Sequence, residues 1–467
     1  MEFPIVDHHK EMSVDRARDK TRPNLREMLS GMRRTAQGKI VEEMQRKEHL
    51  MSLSHVIHQR HLSYIMRTLL KILGVFVALQ VVIVIVLEIV SARRKRPWQE
   101  GRASYPHLSE VHVGKNRLQL YVYERDLHNA MLAAIDTAQE SIYLETYIWK
   151  DDAVGQAFKE HIARKAAFGV EVYVVFDSFG NMMVPHTFRA FPSTVHALPY
   201  QAIHRPRHLL DLRHYALDHR KLLVVDGSTC FIGGYNIESL SATTGRDTHL
   251  RISGPAAADL AQSFIDFWNR HAPGHRRITR QYLRHFESRV TFRGTNALRL
   301  MFPIRDMYII AIDQAGHSIR LTTAYFIPDR VLFAALKAAA GRGVDVRVLV
   351  PWISNHVVVD WLARGYFTAC LQGGMRVFGS RHMLRATTCT IDGQWTTIGT
   401  ASLDRLSAVG NYEINAEVYS DVLAQHMEEL FRYDTTHAFE LTQAQWMSRP
   451  WYKKLSERIL FPLRVIL

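Results

Sequence analysis

An internal repeat constrains this chain more than any other feature. Ala134-Ile135-Asp136, with Ser141-Ile142 and Leu144 after it, recurs as Ala311-Ile312-Asp313, with Ser318-Ile319 and Leu321. Gly169-Val170-Glu171-Val172 recurs as Gly343-Val344-Asp345-Val346. Each time a helix-periodic stretch leads into a β-branched run, the pattern of a β-α-β unit. A unit that comes twice predicts two similar lobes. The length agrees, because 467 residues, 47% of them apolar, leave each copy enough chain to bury a core of its own.

The residues that can do chemistry cluster in the first copy. His219-Arg220-Lys221 leads into the apolar run Leu222 to Val225, and residues two apart on a strand share a face. His219 and Lys221 therefore project together, a nucleophile or base beside a positive charge. Asp226-Gly227 reads as a turn. A second strand returns through Phe231-Ile232 to Gly233-Gly234, where small residues would let a ligand approach the backbone, with Asn236 near the same mouth. Setting Asp226-Gly227 on Asp392-Gly393 brings the second copy into register and puts Gly233 on Gly399. His219 then falls on Arg385, Lys221 on Thr387 and Asn236 on Ser402. Arginine stays protonated at any working pH and cannot act as a general acid or base. His382 lies three residues too early to be aimed at the site and reads as a loop residue.

The extended run His219-x-Lys221-x4-Asp226, followed by Gly233-Gly234-x-Asn236, resembles the signature of the phospholipase D superfamily at every defining position. Glu145-Thr146-Tyr147-Ile148-Trp149, Arg246-Asp247-Thr248-His249 and Thr323-Ala324-Tyr325-Phe326-Ile327-Pro328-Asp329 are similar to the membrane-bound bacterial cardiolipin synthase branch. The resemblance covers about Gly114 to Phe439. It implies an α/β fold class, two pseudo-repeated phospholipase D-type α/β/α lobes with the active site at their interface. It implies phosphodiester exchange through a phosphohistidine, with a second histidine protonating the leaving alcohol and Lys and Asn groups holding the phosphoryl oxygens. No cofactor and no metal are expected.

The catalytic set implied is His219, Lys221, Asp226 and Asn236, with orienting acids after each motif at Asp247 and Glu413. Gly233 and Gly234 would line the substrate, with Arg205 and Arg207 contacting phosphate at the entrance. His204 and His208 bracket Pro206, which breaks the helix that a metal pair would need. The second half-site, Arg385, Thr387, Asp392, Gly399 and Ser402, is degenerate. The simplest reading of Arg385 is an ion pair with Asp247 or Glu413. Gly245 stands where family members often carry Trp, a loss that would open the pocket wall. Three functions stay open: phosphatidyl transfer between phosphatidylglycerol molecules, an impaired paralogue that binds anionic lipid as a scaffold, and a nuclease-like phosphodiesterase.

Charge and hydropathy favour lipid over nucleic acid. A net charge of +14 calls for an anionic partner. Leu69 to Val90 is nearly continuous in apolar residues, just long enough to span a bilayer, and too far from Met1 to be a cleaved signal. Membrane phospholipids, phosphatidylglycerol or cardiolipin, are therefore the expected partners, no specific nucleic acid is expected, and a homodimer stays open. Lys and Arg flank both sides of the span, so a cytoplasmic position of the lobes is not fixed by them. The expected organisation is a basic arm (1–68), a transmembrane helix (69–90), a polar linker (91–113), a first lobe (114–287), a second lobe (288–440) and a basic aromatic segment (441–467). That last segment reads either as interfacial or as packed on the lobes. Cys230, Cys370 and Cys389 have no metal-ligand spacing and read as inert core thiols or residents of a reducing compartment.

Overall fold

The structure, a computed structural model, describes residues 31, 33, 38–49, 51, 64–75, 105–106, 108–202, 216–239, 245–283, 289–296, 301–354, 357–381, 383–403, 410–451 and 454. Residues 1–87 form one unit and 88–467 another. In the first unit, stretches 38–49 and 64–75 are helical with exposed side chains. Among the described residues no helix is long and apolar enough to cross a membrane. Residues 76–90 of the expected span, and with them most of it, lie outside the described set.

The second unit carries the repeat as two eight-stranded sheets. In chain order the first lobe is β1 (Val111–Val113), β2 (Asn116–Tyr121), α1 (Glu124–Thr137), β3 (Ser141–Thr146), α2 (Ala153–Ala167), β4 (Glu171–Asp177), α3 (His186–Arg189), β5 (Val195–Tyr200), β6 (Leu222–Val225), β7 (Thr229–Gly233), β8 (Gly245–Arg246), β9 (His249–Ser253) and α4 (Ala256–His271). The second is β10 (Val290–Gly294), α5 (Pro303–Gln314), β11 (Ser318–Thr322), α6 (Arg330–Gly341), β12 (Asp345–Pro351), α7 (Val357–Gln372), β13 (Arg376–Ser380), β14 (Met383–Leu384), β15 (Thr388–Ile391), β16 (Trp395–Gly399), β17 (Ile414–Tyr419), α8 (Asp421–Thr436), β18 (Ala438–Glu440) and α9 (Gln443–Met447). The sheet orders are β1-β2-β9-β7-β6-β3-β4-β5 and β10-β17-β16-β15-β11-β12-β13-β18. Starting at β2 in the first and β10 in the second, they correspond strand for strand up to β5 and β13. β1 pairs with β2, so the first sheet begins just ahead of Gly114, inside the stretch expected to be linker.

Burial on both faces explains the composition of the inner strands. All six residues of β3 are buried, as parallel strands sandwiched between helices require. Ile142 and Leu144 meet Leu127, Ile135, Phe158 and Ile162 of α1 and α2. Tyr143, on the opposite face, joins Phe264 and Trp268 of α4. That second core continues into the other lobe through Ile398, Ile414, Ala416, Leu423 and Met427. The lobes thus share one apolar core, which fixes their inner edges against each other. Cys230, Cys370 and Cys389 are buried and free. In the last segment Trp446 is buried and its indole N–H donates to Thr368 Oγ1 at 2.9 Å, so this part packs on the second lobe. Residues 452–453 and 455–467 lie outside the described set.

Candidate active site

Two equivalent backbone crossings bring the lobes together. His219 N donates to Tyr412 O at 3.0 Å, and Arg385 N donates to Arg246 O at 2.8 Å. Asp218 bridges Tyr412 in parallel, and β14 pairs in parallel with β8. Each motif therefore enters its strand alongside the segment that ends in the other lobe's acid. The consequence is a swap. The Nδ1 of His219 faces both carboxylate oxygens of Glu413, at 3.0 and 3.1 Å. Glu413 is fully buried and accepts a further hydrogen bond from Thr400 Oγ1 at 2.5 Å. A carboxylate so held fixes the imidazole with its Nδ1–H toward the acid and its Nε2 lone pair toward the site. Tyr147 closes the other side of the ring, edge-on at 4.8 Å between centroids.

Lys221 is buried beside this pair. Its Nζ donates to His219 O at 2.8 Å and lies 5.5 Å from the Tyr147 ring centre. Burial pushes its pKa down to about 8, against the pull of Glu413 and Asp247. Between the two, Arg220 points the other way, into the core, where it bonds Glu145 and lies 3.6 Å from Asp218. Burial, then Glu145, raises the Asp218 carboxyl well above the usual range.

By the same crossing Asp247 directly follows the residue whose carbonyl accepts from Arg385 N, as Glu413 follows Tyr412. Burial pushes Asp247 up to about 6, with the Thr248 N–H, Arg385 and Lys221 pulling back. The Arg385 guanidinium pairs with Glu238 at 3.3 Å. Its charge also acts on Asp247, one of the two acids expected to pair with it. Glu238 also accepts from Asn236 Nδ2 at 3.4 Å. Thr387 and Ser402, in the places of Lys221 and Asn236, face one another with their hydroxyls 3.4 Å apart. Two other imidazoles border the site: burial lowers the pKa of His128, and it takes that of His249 to about 3.

Other expected site residues sit elsewhere. Asp226 lies at the far end of β6 from His219, at φ 51° with Gly227 at φ 60°. Its carboxylate accepts from the backbone N–H groups of Gln139, Glu140 and Ser141 at 2.8–2.9 Å. Asp392 repeats the arrangement with Gly316, His317 and Ser318. Both are clamps for a hairpin, not groups at the reacting centre. Gly233 and Gly234 are closely approached by the neighbouring segment. A side chain on Gly233 would strike Thr248 and His249, and one on Gly234 would strike the Asp247 carboxylate. Gly399 likewise makes room for Asn415. These glycines admit the chain that carries the acids. Gly245 pairs its backbone with Met383 at the crossing. Arg205, Arg207, His204, His208 and His382 lie outside the described residues.

Tyr147, Glu238 and Thr400 are the contacts that motif reading did not assign. Tyr147 stands inside the phrase Glu145 to Trp149, so its position carried a signal; its role did not. Thr400 replaces the Gly234 of the first copy, a difference that becomes meaningful only once Glu413 is beside it.

The chain matches the family model described as "Cardiolipin synthase, PLD-like domain" at residues 131–268 and again at 308–435. It is 31% identical to a cardiolipin synthase of Listeria monocytogenes, over 74% of this chain and 75% of that protein. It is 29% identical to the major cardiolipin synthase of Bacillus subtilis, over 76% of each. Among solved structures it resembles a phosphatidylserine synthase of Haemophilus influenzae in fold, with a TM-score of 0.56 and 14% identity, over 75% of this chain and 93% of that one.

Proposed function

Because this chain belongs to the phospholipase D-like family of the cardiolipin synthase type, we propose that it is a membrane-bound phosphatidyltransferase that works through a covalent intermediate on His219, with phosphatidylglycerol as acceptor. The observation that carries the proposal is the His219–Glu413 contact at 3.0 Å across the lobe boundary. It leaves Nε2 as the only ring nitrogen free to attack phosphorus. Lys221 supplies positive charge for the phosphoryl oxygens, and in a buried setting that charge is worth far more than in water. Asn236 donates beside it, and Glu413 stabilises the imidazole as it becomes cationic on forming the N–P bond. In this reading the apolar stretch 69–90 spans the bilayer once and keeps the lobes at the lipid surface; the exposed Leu69, Leu70, Ile72, Leu73 and Val75 of its described helical start support it.

A second reading, an anionic-lipid-binding scaffold, is favoured by one observation: Arg385 with Glu238, and Thr387 with Ser402, satisfy one another. The deciding experiment is to incubate purified full-length protein with phosphatidylglycerol and phosphatidyl donors and search for a lipid adduct on His219 by mass spectrometry. An adduct that is lost in His219→Ala supports transfer. Folded protein that binds the vesicles and never forms one supports the scaffold.

A further inference from the structure

We propose that Arg385 makes this site selective for donors whose leaving group departs as a stabilised anion, a phosphate held to the phosphatidyl phosphorus by an anhydride bond, instead of an alcohol. The inference rests on the reading of His219 as nucleophile and names the donor class for that same site. Arg385 occupies the place of His219 in the other lobe: both make the same cross-lobe backbone bond, and their side chains are 31% and 29% exposed. Whatever stands there faces the oxygen that leaves. An alcohol oxygen is about as basic as hydroxide, whose conjugate acid has a pKa of about 16, so it needs a proton as the bond breaks. Arginine has none to give. A phosphate, with a second pKa near 6, needs none.

The remaining residues suit such an anion. The guanidinium fork matches phosphate geometry, and Glu238 at 3.3 Å holds it in place. Thr387 and Ser402 add two neutral hydroxyl donors. In the first step the Nε2 lone pair forms the N–P bond, the anhydride P–O bond breaks, and its electron pair leaves on the phosphate oxygen. In the second the acceptor hydroxyl oxygen bonds phosphorus, the N–P pair returns to Nε2, and the hydroxyl proton ends on the released phosphate.

The test uses full-length protein in mixed micelles with phosphatidylglycerol as acceptor and two donors, diacylglycerol diphosphate and phosphatidylglycerol itself. Product is followed together with the His219 adduct. Because the anhydride is intrinsically more reactive, the deciding quantity is how the ratio of the two rates moves on substitution. Arg385→Gln should slow the diphosphate donor by about tenfold or more, a larger loss than it causes in the slow phosphatidylglycerol reaction. Arg385→His should raise the latter and narrow the ratio by roughly a hundredfold, the range of general acid catalysis. Equal use of both donors by the parent, or a diphosphate rate unchanged in Arg385→Gln, overturns the inference and leaves the nucleophile standing. Absence of the adduct with either donor removes the nucleophile and the inference together.

Discussion

His219 depends on a residue almost two hundred positions away, and that dependence sets the first expectations. Glu413→Gln keeps the shape but loses the charge and the tautomer it enforces, a change that can cost up to about ten-thousandfold in turnover in comparable acid–imidazole pairs. kcat should fall far more than KM rises; an equal loss in both would make Glu413 a packing residue. Lys221 gives a pH signature of opposite signs. Its folded pKa, near 8, lies below the ordinary 10.5. Above about pH 8 the folded protein has released a proton that the unfolded chain still holds, so stability rises with pH up to about 10.5. Activity should fall over the same window, because the charge facing the phosphoryl group is gone. Denaturant melts and initial rates measured in parallel from pH 7 to 10 would show whether the two curves cross; a joint decline would exclude Lys221 as their source. At this scale the motif made His219, Lys221, Asp247 and Glu413 legible. Which acid serves which histidine was not, since no spacing within one motif encodes a contact made between lobes. The contacts of Tyr147, Glu238 and Thr400 were not legible either, because each is made to a residue on a different element of the chain.

At the scale of elements, the Asp that ends each motif acts on the fold. Asp226 and Asp392 sit in a left-handed turn and each ties its hairpin to the loop before the adjoining strand through three backbone N–H groups. The pattern Asp-Gly after a β-branched run announced the turn, yet it could not show that the carboxylate points away from His219 along the whole length of β6. Asp226→Gly separates the two roles, because glycine accepts the positive φ at no steric cost. Losing a charged acceptor of several backbone bonds should lower stability by about 1–3 kcal/mol. Turnover measured well below the melting temperature should stay close to the parent's; its collapse in a folded variant would return Asp226 to the reacting centre. For Asp392, burial works to raise the pKa, but the three N–H groups prevail and hold it below the usual range. That contribution is present above the ordinary carboxylate pKa and is lost as pH falls through the depressed value.

At the scale of the whole molecule, one core and two crossings hold the second lobe against the first beside His219, although position 385 carries arginine. Repeats at 134–144 and 311–321 made both lobes readable, since β-α-β units leave periodic traces; the shared core was not readable, because each face looks complete in its own sequence. The backbone frame for a second imidazole is present: Asp247 follows the Arg246 carbonyl that accepts from Arg385 N, as Glu413 follows Tyr412, and Gly234 leaves its carboxylate room. Restoring Arg385→His, Thr387→Lys and Ser402→Asn together should therefore raise transfer from alcohol-leaving donors by a factor within the hundredfold to ten-thousandfold span of general acid catalysis. Space for the lysine exists in outline. Thr323 repeats the bond that Thr146 makes to the backbone two residues on, which sets Ala324, far smaller, where Tyr147 stands against Lys221. Each single substitution should give much less, because an imidazole without its phosphate clamp acts on a poorly held substrate and groups that act as a unit are not additive. The measurement is cardiolipin formation from phosphatidylglycerol alone, with adduct on His219 as the internal check. A triple variant that folds, still forms the adduct and gains nothing would mean that the leaving oxygen does not lie at position 385. The pseudo-symmetry of the backbone would then not extend to the chemistry.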